Sequence, residues 1–413
     1  MTFIQETQLG EDKNKVEKGE VNWVPGSESK LYQLAEGHYS GINFGFGNIG
    51  FAITSEGVVV FDSTVSPKGG EAVLAEIRKL TSLPIRYLIY THGHADHVSG
   101  ASVFKREGAV VIGHRNVVRR FDRYTKLWSH HMAINGLQFR KNLFTQEPDF
   151  VYPDITYDQE YTFELGGKTF RLVHGKGETD DATVTYVPED GVVYVGDFII
   201  WTFPNIGNPN KVIRYEKEWY QTLERVQSWN PKAIATGHGP ALLEPEQIQG
   251  ALSHNIEALK LLHERTIEYI NNGAPEERAV AEIELPEHLL NSPFLAQVYG
   301  TREFVIRGIY RRYTGWYNGN PTHLAPAPTE DVRKEIAGLI GNTRSVLDRA
   351  KELKANGQTQ LSLHLIDLVI GEPELEKEAV QFKKAALLEL ADESRNLFYH
   401  NFYKVSAEEL EID

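Results

Sequence analysis

Thr91-His92-Gly93-His94-Ala95-Asp96-His97 follows directly on the run Ile85-Arg86-Tyr87-Leu88-Ile89-Tyr90, and these positions decide how the rest of the chain is read. The run has the length and the branched and aromatic content of a buried strand. At its C-terminal end three histidines and one aspartate crowd together. Gly93 and Ala95 are small enough to let the backbone turn so that alternate side chains converge. A set of nitrogen and oxygen donors this dense suits a metal, and a merely solvated loop has no need of it.

Composition narrows what kind of metal site this is. The chain has 413 residues and no cysteine, which excludes thiolate nucleophiles, disulfides and sulfur-held metals. Any ion is therefore held by histidine and carboxylate. Lys+Arg 43 against Asp+Glu 57 leaves a net charge of −14. That balance argues against a nucleic-acid partner, which requires a basic surface, and against docking on anionic lipid. Met1–Gly19 is polar and rich in Glu and Lys, unlike a leader with an apolar middle, and no apolar run approaches the roughly 20 residues of a membrane span. The expected setting is the cytoplasm, with no membrane and a small-molecule substrate.

Outward from the His-rich loop, periodicity predicts strands at 48–54 and 58–61, a helix at 69–80, a strand at 109–112 and a helix at 116–124. Hairpins are expected at 161–173 around Gly166-Gly167 and at 183–195 around Pro188-Glu189-Asp190, then a helix at 214–227 and a strand at 232–236. Two successive strand-and-helix sets predict two packed sheets with helices outside, an α/β sandwich. From residue 245 the pattern turns helical, with helices expected at 248–270, 301–313, 331–355, 360–370 and 375–401. The last two resemble one tetratricopeptide-like hairpin. The boundary is placed at 245, giving a catalytic domain at 1–245 and an all-α domain at 246–413.

One loop cannot complete a zinc site, which takes about four ligands. Three further donors close later strands: Glu178 in Gly177-Glu178-Thr179, Asp197 after Val192–Gly196, and His238 in Thr236-Gly237-His238-Gly239. His174 competes with Glu178 for one place. Asp62, closing Val58–Phe61, reads either as a support for the ligands or as a turn residue.

The order His-x-His-x-Asp-His, then Glu178, then Gly196-Asp197, then Gly237-His238 resembles the metallo-β-lactamase superfamily, whose fold is an αββα sandwich with a dinuclear site between the sheets. Glu178 in place of the usual His, together with Tyr299-Gly300, Arg311-Arg312-Tyr313 and Gly315-Trp316-Tyr317-Asn318-Gly319-Asn320-Pro321, is similar to the zinc-dependent alkyl sulfatases and their dimerisation domain. The resemblance implies two zinc ions, or other divalent metals such as manganese or iron. It assigns His92, His94 and Glu178 to the first metal, Asp96, His97 and His238 to the second, and Asp197 as the bridge. It makes Asp96 and Asp197 catalytic groups around a metal-bridging hydroxide that attacks an ester-type bond, foremost an alkyl sulfate. A lactone, thioester, ether or phosphodiester is the alternative bond, and the C-terminal helices are expected to form a homodimer.

Two departures from that family concern the substrate. Asp197-Phe198 stands where Glu-Asn is usual, and Asn205 fits the first of two oxyanion-holding places while the second holds Asn210 or Lys211, with Arg214 further on. The substrate-binding residues are therefore expected to be Asn205 and Lys211. His130, His131 and Trp128 are expected to join them from a loop over 127–146, a stretch that in the resembled family covers the pocket mouth. Arg119, Arg123 and Lys126 fall on one helix face, either greeting an anion or simply solvated.

Overall fold

The structure is a computed structural model that describes residues 28–140 and 148–410. Met1–Gly19 and the end of the 127–146 stretch lie outside the described residues. Contacts divide the described chain into two units, 28–133 with 148–314, and 134–140 with 315–410.

In the first unit, β1 (Lys30–Ala35), β2 (His38–Ile42), β3 (Ile49–Ile53), β4 (Val58–Phe61), β5 (Ile85–Ile89), β6 (Val110–His114) and β7 (Ile155–Tyr157) pair in that order. They run antiparallel as far as β4 and parallel from β4 to β7. A second sheet orders β12 (Ala233–Thr236), β11 (Val192–Gly196), β10 (Thr183–Val187), β9 (Lys168–His174) and β8 (Glu160–Leu165), with β11 and β12 parallel and the other pairs antiparallel. Helices α1 (Pro67–Leu80), α2 (Ala95–Val98), α3 (Ala101–Arg106), α4 (Asn116–Lys126) and α5 (Trp128–Phe139, of which 128–133 belong to this unit) fall between the first sheet's strands in sequence. α6 (Glu216–Ser228) precedes β12, and α7 (Pro245–Asn271), α8 (Glu276–Glu282), α9 (Glu287–Leu290) and α10 (Arg302–Tyr313) follow it.

The layering follows from side chains alternating across strands buried on both faces. Val58, Val60 and Leu88 point one way, into Val73, Ile77, Phe104 and Phe121 of the helices. Val59, Phe61 and Ile89 point the other way, against Phe170, Leu172 and Tyr194 of the second sheet. Phe61 and Tyr194 stack across the gap with ring centroids 3.6 Å apart. Beyond the second sheet, Val193 and Val195 pack with Trp219 and Leu223 of α6. Helix, sheet, sheet, helix is the result, as the sequence leads one to expect. The hairpin β1–β2 and the short β7 were not anticipated.

The expected boundary at 245 is not where the contacts divide. Leu252, Leu259 and Leu262 of α7 and Ile306 and Ile309 of α10 share one core with Val193 and Leu223. The second sheet has an apolar outer face that α6 alone does not cover, and α7 and α10 supply the rest of its helical layer.

In the second unit, α11 (Thr329–Ile340) comes first, and α12 (Thr343–Ala355), α13 (Thr359–Ile366), α14 (Glu376–Glu393) and α15 (Leu397–Glu409) gather around Leu347, Ile366, Val369 and Leu387. α12 packs on α13 and α14 on α15. The helix expected over 331–355 breaks where Gly341 takes a φ of 69°. That expected over 375–401 breaks at Asn396, whose side-chain oxygen accepts from the Phe398 N–H at 3.0 Å and so starts a new helix. Three helices, not a single hairpin, therefore follow Gly357. Among the described residues no helix is long and apolar enough to cross a membrane.

Candidate metal centre

The parallel pairs β4–β5 and β11–β12 end on the same side of the sandwich, and their C-terminal ends deliver the donors together. The backbone N–H of Asn48 donates to Gly237 O at 2.9 Å, and that of Thr183 to Thr91 O at 2.6 Å, so the two sheets are tied at this edge. Gly237 has to be glycine, because a Cβ there would lie 2.0 Å from Asp197 Oδ1.

Two groups of donors converge, each with its atoms within 4.8 Å of one another: His92, His94 and Asp197, and Asp96, His97 and His238. Asp197 faces both. Its Oδ2 lies 3.5 Å from His92 Nε2, while its Oδ1 lies 3.3 Å from His97 Nε2 and 3.5 Å from His238 Nε2. Asp96 Oδ2 is 3.7 Å from His97 Nε2 and 3.5 Å from His238 Nε2. Asp197 Oδ1 is buried without a hydrogen-bond partner. Buried carboxylate oxygens are rarely left so, and a cation is what this donor set fits.

The ring orientations are enforced from behind. Asp62 Oδ1 accepts from the Thr91 N–H at 2.7 Å, and its Oδ2 meets Thr91 Oγ1 at 2.6 Å and His97 Nδ1 at 2.9 Å. It holds a left-handed φ of 63°, strained for a non-glycine residue, to do so. Asp62 thus braces the His-rich loop and is more than a turn residue. His238 Nδ1 pairs with Phe46 O at 3.0 Å. These contacts leave Nε2 of both rings facing the centre.

Charges in this dry setting perturb one another strongly. Burial alone would push the Asp96 carboxyl up, but the His97 charge and the hydrogen bond from His238 hold it at about 2. Burial would likewise raise Asp197, and His97, His238 and His92 hold it well below the usual carboxylate range. Burial would lower His238, yet Asp197 and Asp96 lift it to about 9. His97 is raised well above its ordinary value against burial, by Asp197, Asp96 and Asp62. His94 goes the other way, lowered by burial and then by the nearby His92, Arg214 and Arg120.

Glu178 and His174 are separated by their partners. His174 Nε2 is engaged with Asp180 O at 3.0 Å, and its ring stacks on His114 at 3.8 Å. Glu178 lines the recess with Thr91, His92 and Asp197. Its Oε1 is paired with the Arg214 guanidinium, which also donates to Asn205 O at 2.9 Å. Asn205 is fully buried beside them, its side-chain oxygen oriented to accept from Arg214 at 2.8 Å. Lys211 is drawn toward ionisation by Asp96, but burial lowers it to about 8.

Two residues the sequence did not single out for this edge are Arg120 and Tyr124. Arg120 pairs with Asp180 at 2.6 Å and Asp181 at 3.3 Å, and Asp181 in turn accepts from the Gly93 N–H at 3.0 Å, bracing the His loop. Tyr124 and Arg214 affect each other's ionisation. Arg120 and Tyr124 stand four apart and half-buried, on a face of α4 turned away from the one read from sequence; Arg119, Arg123 and Lys126 are exposed. The expected loop over 127–146 is largely helix, since α5 occupies Trp128–Phe139. His131 lies against Tyr124 and Trp128, with centroids at 4.6 and 5.5 Å, and is lowered to about 4 by burial and Lys211. His130 is exposed.

Residues 42–238 match the family model described as the metallo-beta-lactamase superfamily, and 276–413 match that described as alkyl sulfatase dimerisation. The chain carries a metallo-β-lactamase domain joined to an alkyl sulfatase dimerisation domain. It is 25% identical over 382 residues to a linear primary-alkylsulfatase of Pseudomonas sp., covering 86% of this chain and 72% of that one. It is 20% identical over 413 residues to an alkyl/aryl-sulfatase of Saccharomyces cerevisiae, covering 92% of this chain and 64% of that one. The solved structure of a stereoselective inverting sec-alkylsulfatase from Pseudomonas sp. superposes with a TM-score of 0.83 at 18% identity, covering 92% of this chain and 65% of the other. The chain thus spans about two thirds of the length of these relatives. The superposition shows a shared fold: a metallo-β-lactamase sandwich followed by a helical domain.

Proposed function

We propose that the protein is a dinuclear zinc hydrolase that cleaves an alkyl sulfate ester and works as a homodimer. The observation that carries this reading is Asp197, whose two oxygens face two separate donor groups inside one buried edge. His92, His94 and Glu178 would hold the first ion, and Asp96, His97 and His238 the second, with Asp197 shared. Bound there, the ions would lower the pKa of a water toward neutrality and polarise the ester oxygen.

The chain's own residues do the rest. Asp62 fixes His97, and Arg120 fixes the His loop through Asp181 and Gly93. Asn205, Lys211 and Arg214 form a polar, cationic wall beside Asp96 and Glu178, which answers the problem of an acidic protein taking an anion. The guanidinium absent from position 210 is supplied by Arg214, four residues on. His131 and Trp128 line the side of α4 and α5 nearest Lys211, and His130, being exposed, is given no part.

The test is release of inorganic sulfate from a short alkyl sulfate by zinc-loaded protein, with His97→Ala as the blank. Sulfate release that survives in His97→Ala contradicts the site. Hydrolysis of a lactone, thioester or phosphodiester, with alkyl sulfate untouched, contradicts the substrate and keeps the centre.

A further inference from the structure

Glu216 opens α6 and has no exposure to water. His263 Nδ1 of α7 pairs with its Oε1 at 3.0 Å, and Arg312 Nε of α10 lies 3.4 Å from its Oε2. Arg312 Nη1 is also 3.7 Å from Glu218 Oε2. Glu216 Oε2, Glu218 Oε2 and Arg312 Nε are buried with no hydrogen bond, so attraction between charges holds them together.

Stability does not require such a cluster. A glutamate at a helix start serves the helix dipole as well from the surface, and apolar side chains of similar volume replace a buried ion pair at little cost. What a buried set of charges does give is one arrangement, because each charge finds its partners in one place only.

That arrangement adjoins the candidate metal centre. Arg214, two residues before Glu216, donates its N–H to Ile206 O at 2.9 Å and its guanidinium to Asn205 O at 2.9 Å, and pairs with Glu178. Tyr215, between them, donates its N–H to Gly177 O at 3.2 Å. The Arg312 guanidinium stands over the Tyr215 ring, 4.8 Å from its centre, and Lys176 Nζ is 5.4 Å from the same centre. Arg312 therefore engages both residues that follow Arg214.

We infer that Glu216, His263 and Arg312 are positioning residues, which hold the Arg214 guanidinium where it meets the sulfate group. This rests on the proposed function, in which Arg214 belongs to the cationic wall. The three act through Arg214 and not on the ester.

The test uses the zinc-loaded full chain and Glu216→Gln, which keeps the side-chain shape and removes the charge. Crystal structures of both read the place of Arg214 without substrate. The guanidinium is expected to lie beyond hydrogen-bond reach of Asn205 O in the variant. KM for a short alkyl sulfate is expected to rise about fivefold with kcat within about twofold, as when ground-state and transition-state binding are lost alike. In an Arg214→Lys background the same change is expected to move KM less than about twofold, because the two residues act as one unit. Glu224→Gln breaks an exposed ion pair between α6 and α7, Glu224 with Lys260 at 3.8 Å, and is expected to leave KM as it is. Where Glu216→Gln fails to fold, His263→Ala removes one partner only and is expected to shift Arg214 and KM in the same directions. Arg214 unmoved, KM unchanged, or KM effects that add in full overturn the positioning role while the substrate stands. No sulfate release by the wild type, with Arg214 displaced in the variant, overturns the substrate while the hold on Arg214 stands.

Discussion

At the strand ends of the metallo-β-lactamase sandwich, three aspartates and four histidines crowd together, all buried but the half-buried His94 and Asp96, while on α11 four aliphatic side chains face water. The two regions depart in opposite directions from the rule that charge is solvated and oil is buried. Burying a charge is tolerable only where partners neutralise it, and exposing oil only where something covers it. The centre nearly satisfies itself, through Asp62, Arg120 and Arg214, and leaves one carboxylate oxygen of Asp197 over. The α11 face satisfies nothing within its own chain. The donor set at the centre fits an ion, and the α11 stripe stays open to water among the described residues.

The largest expected effect comes from breaking the centre where its two halves join. Asp197→Ala should leave both donor groups short and reduce sulfate release at least roughly 10³-fold, the scale on which single electrostatic groups act in buried sites. Loss of one metal only, seen by elemental analysis, would show that Asp197 is not shared. Asp62→Ala removes the partner of His97 Nδ1 and should weaken metal binding about 10–100-fold, read by competition with a chromophoric chelator. Arg214→Lys keeps the charge and loses the fork. It should raise KM for an alkyl sulfate about tenfold with kcat nearly unchanged, equivalent to ~1.4 kcal/mol.

Metal-free protein should show a pH dependence of opposite signs at the two flanks. Asp96, lowered from 3.8 to about 2, contributes stability that is present above pH 3.8 and lost as pH falls toward 2. His238, raised from 6.5 to about 9, contributes stability that is full below pH 6.5 and lost as pH rises through 9. Thermal melts should therefore plateau between these limits, and saturating zinc should remove the alkaline loss because the metal competes for the same imidazole nitrogen. A metal-free protein that gains stability from pH 7 to 9 would contradict this. The smallest effect is expected from Arg119→Ala on the exposed side of α4, within about twofold of wild-type kcat/KM, as for most surface substitutions.

The sandwich and the six donors that converge at its edge were legible because their signals are local. Val58–Phe61 and Val192–Gly196 are short apolar runs, and the His-rich loop sits in one place in the chain. Arg120 was not legible at this edge, and Arg214 only as a cation beyond Lys211, since their partners Asp181 and Glu178 are brought near only by folding. The i, i+4 pair of Arg120 and Tyr124 beside the core residues Val117 and Phe121 carried that signal, and the more numerous cations Arg119, Arg123 and Lys126 drew attention to the other side. Strand β2, His38-Tyr39-Ser40-Gly41-Ile42, hides its pattern because polar residues fill a fully buried strand. That contacts divide the chain at 314 and not at 245 was hidden for a similar reason: α7 reads as any amphipathic helix, and the face it covers belongs to the second sheet.

The most direct test of the central claim is the metal-to-protein ratio of the purified chain after zinc loading and exhaustive dialysis, measured by mass spectrometry of the elements. Two zinc ions per chain, falling below one in Asp197→Ala, is the expected result. A single ion in the wild type, or two retained in Asp197→Ala, would contradict the account of one carboxylate serving two metals.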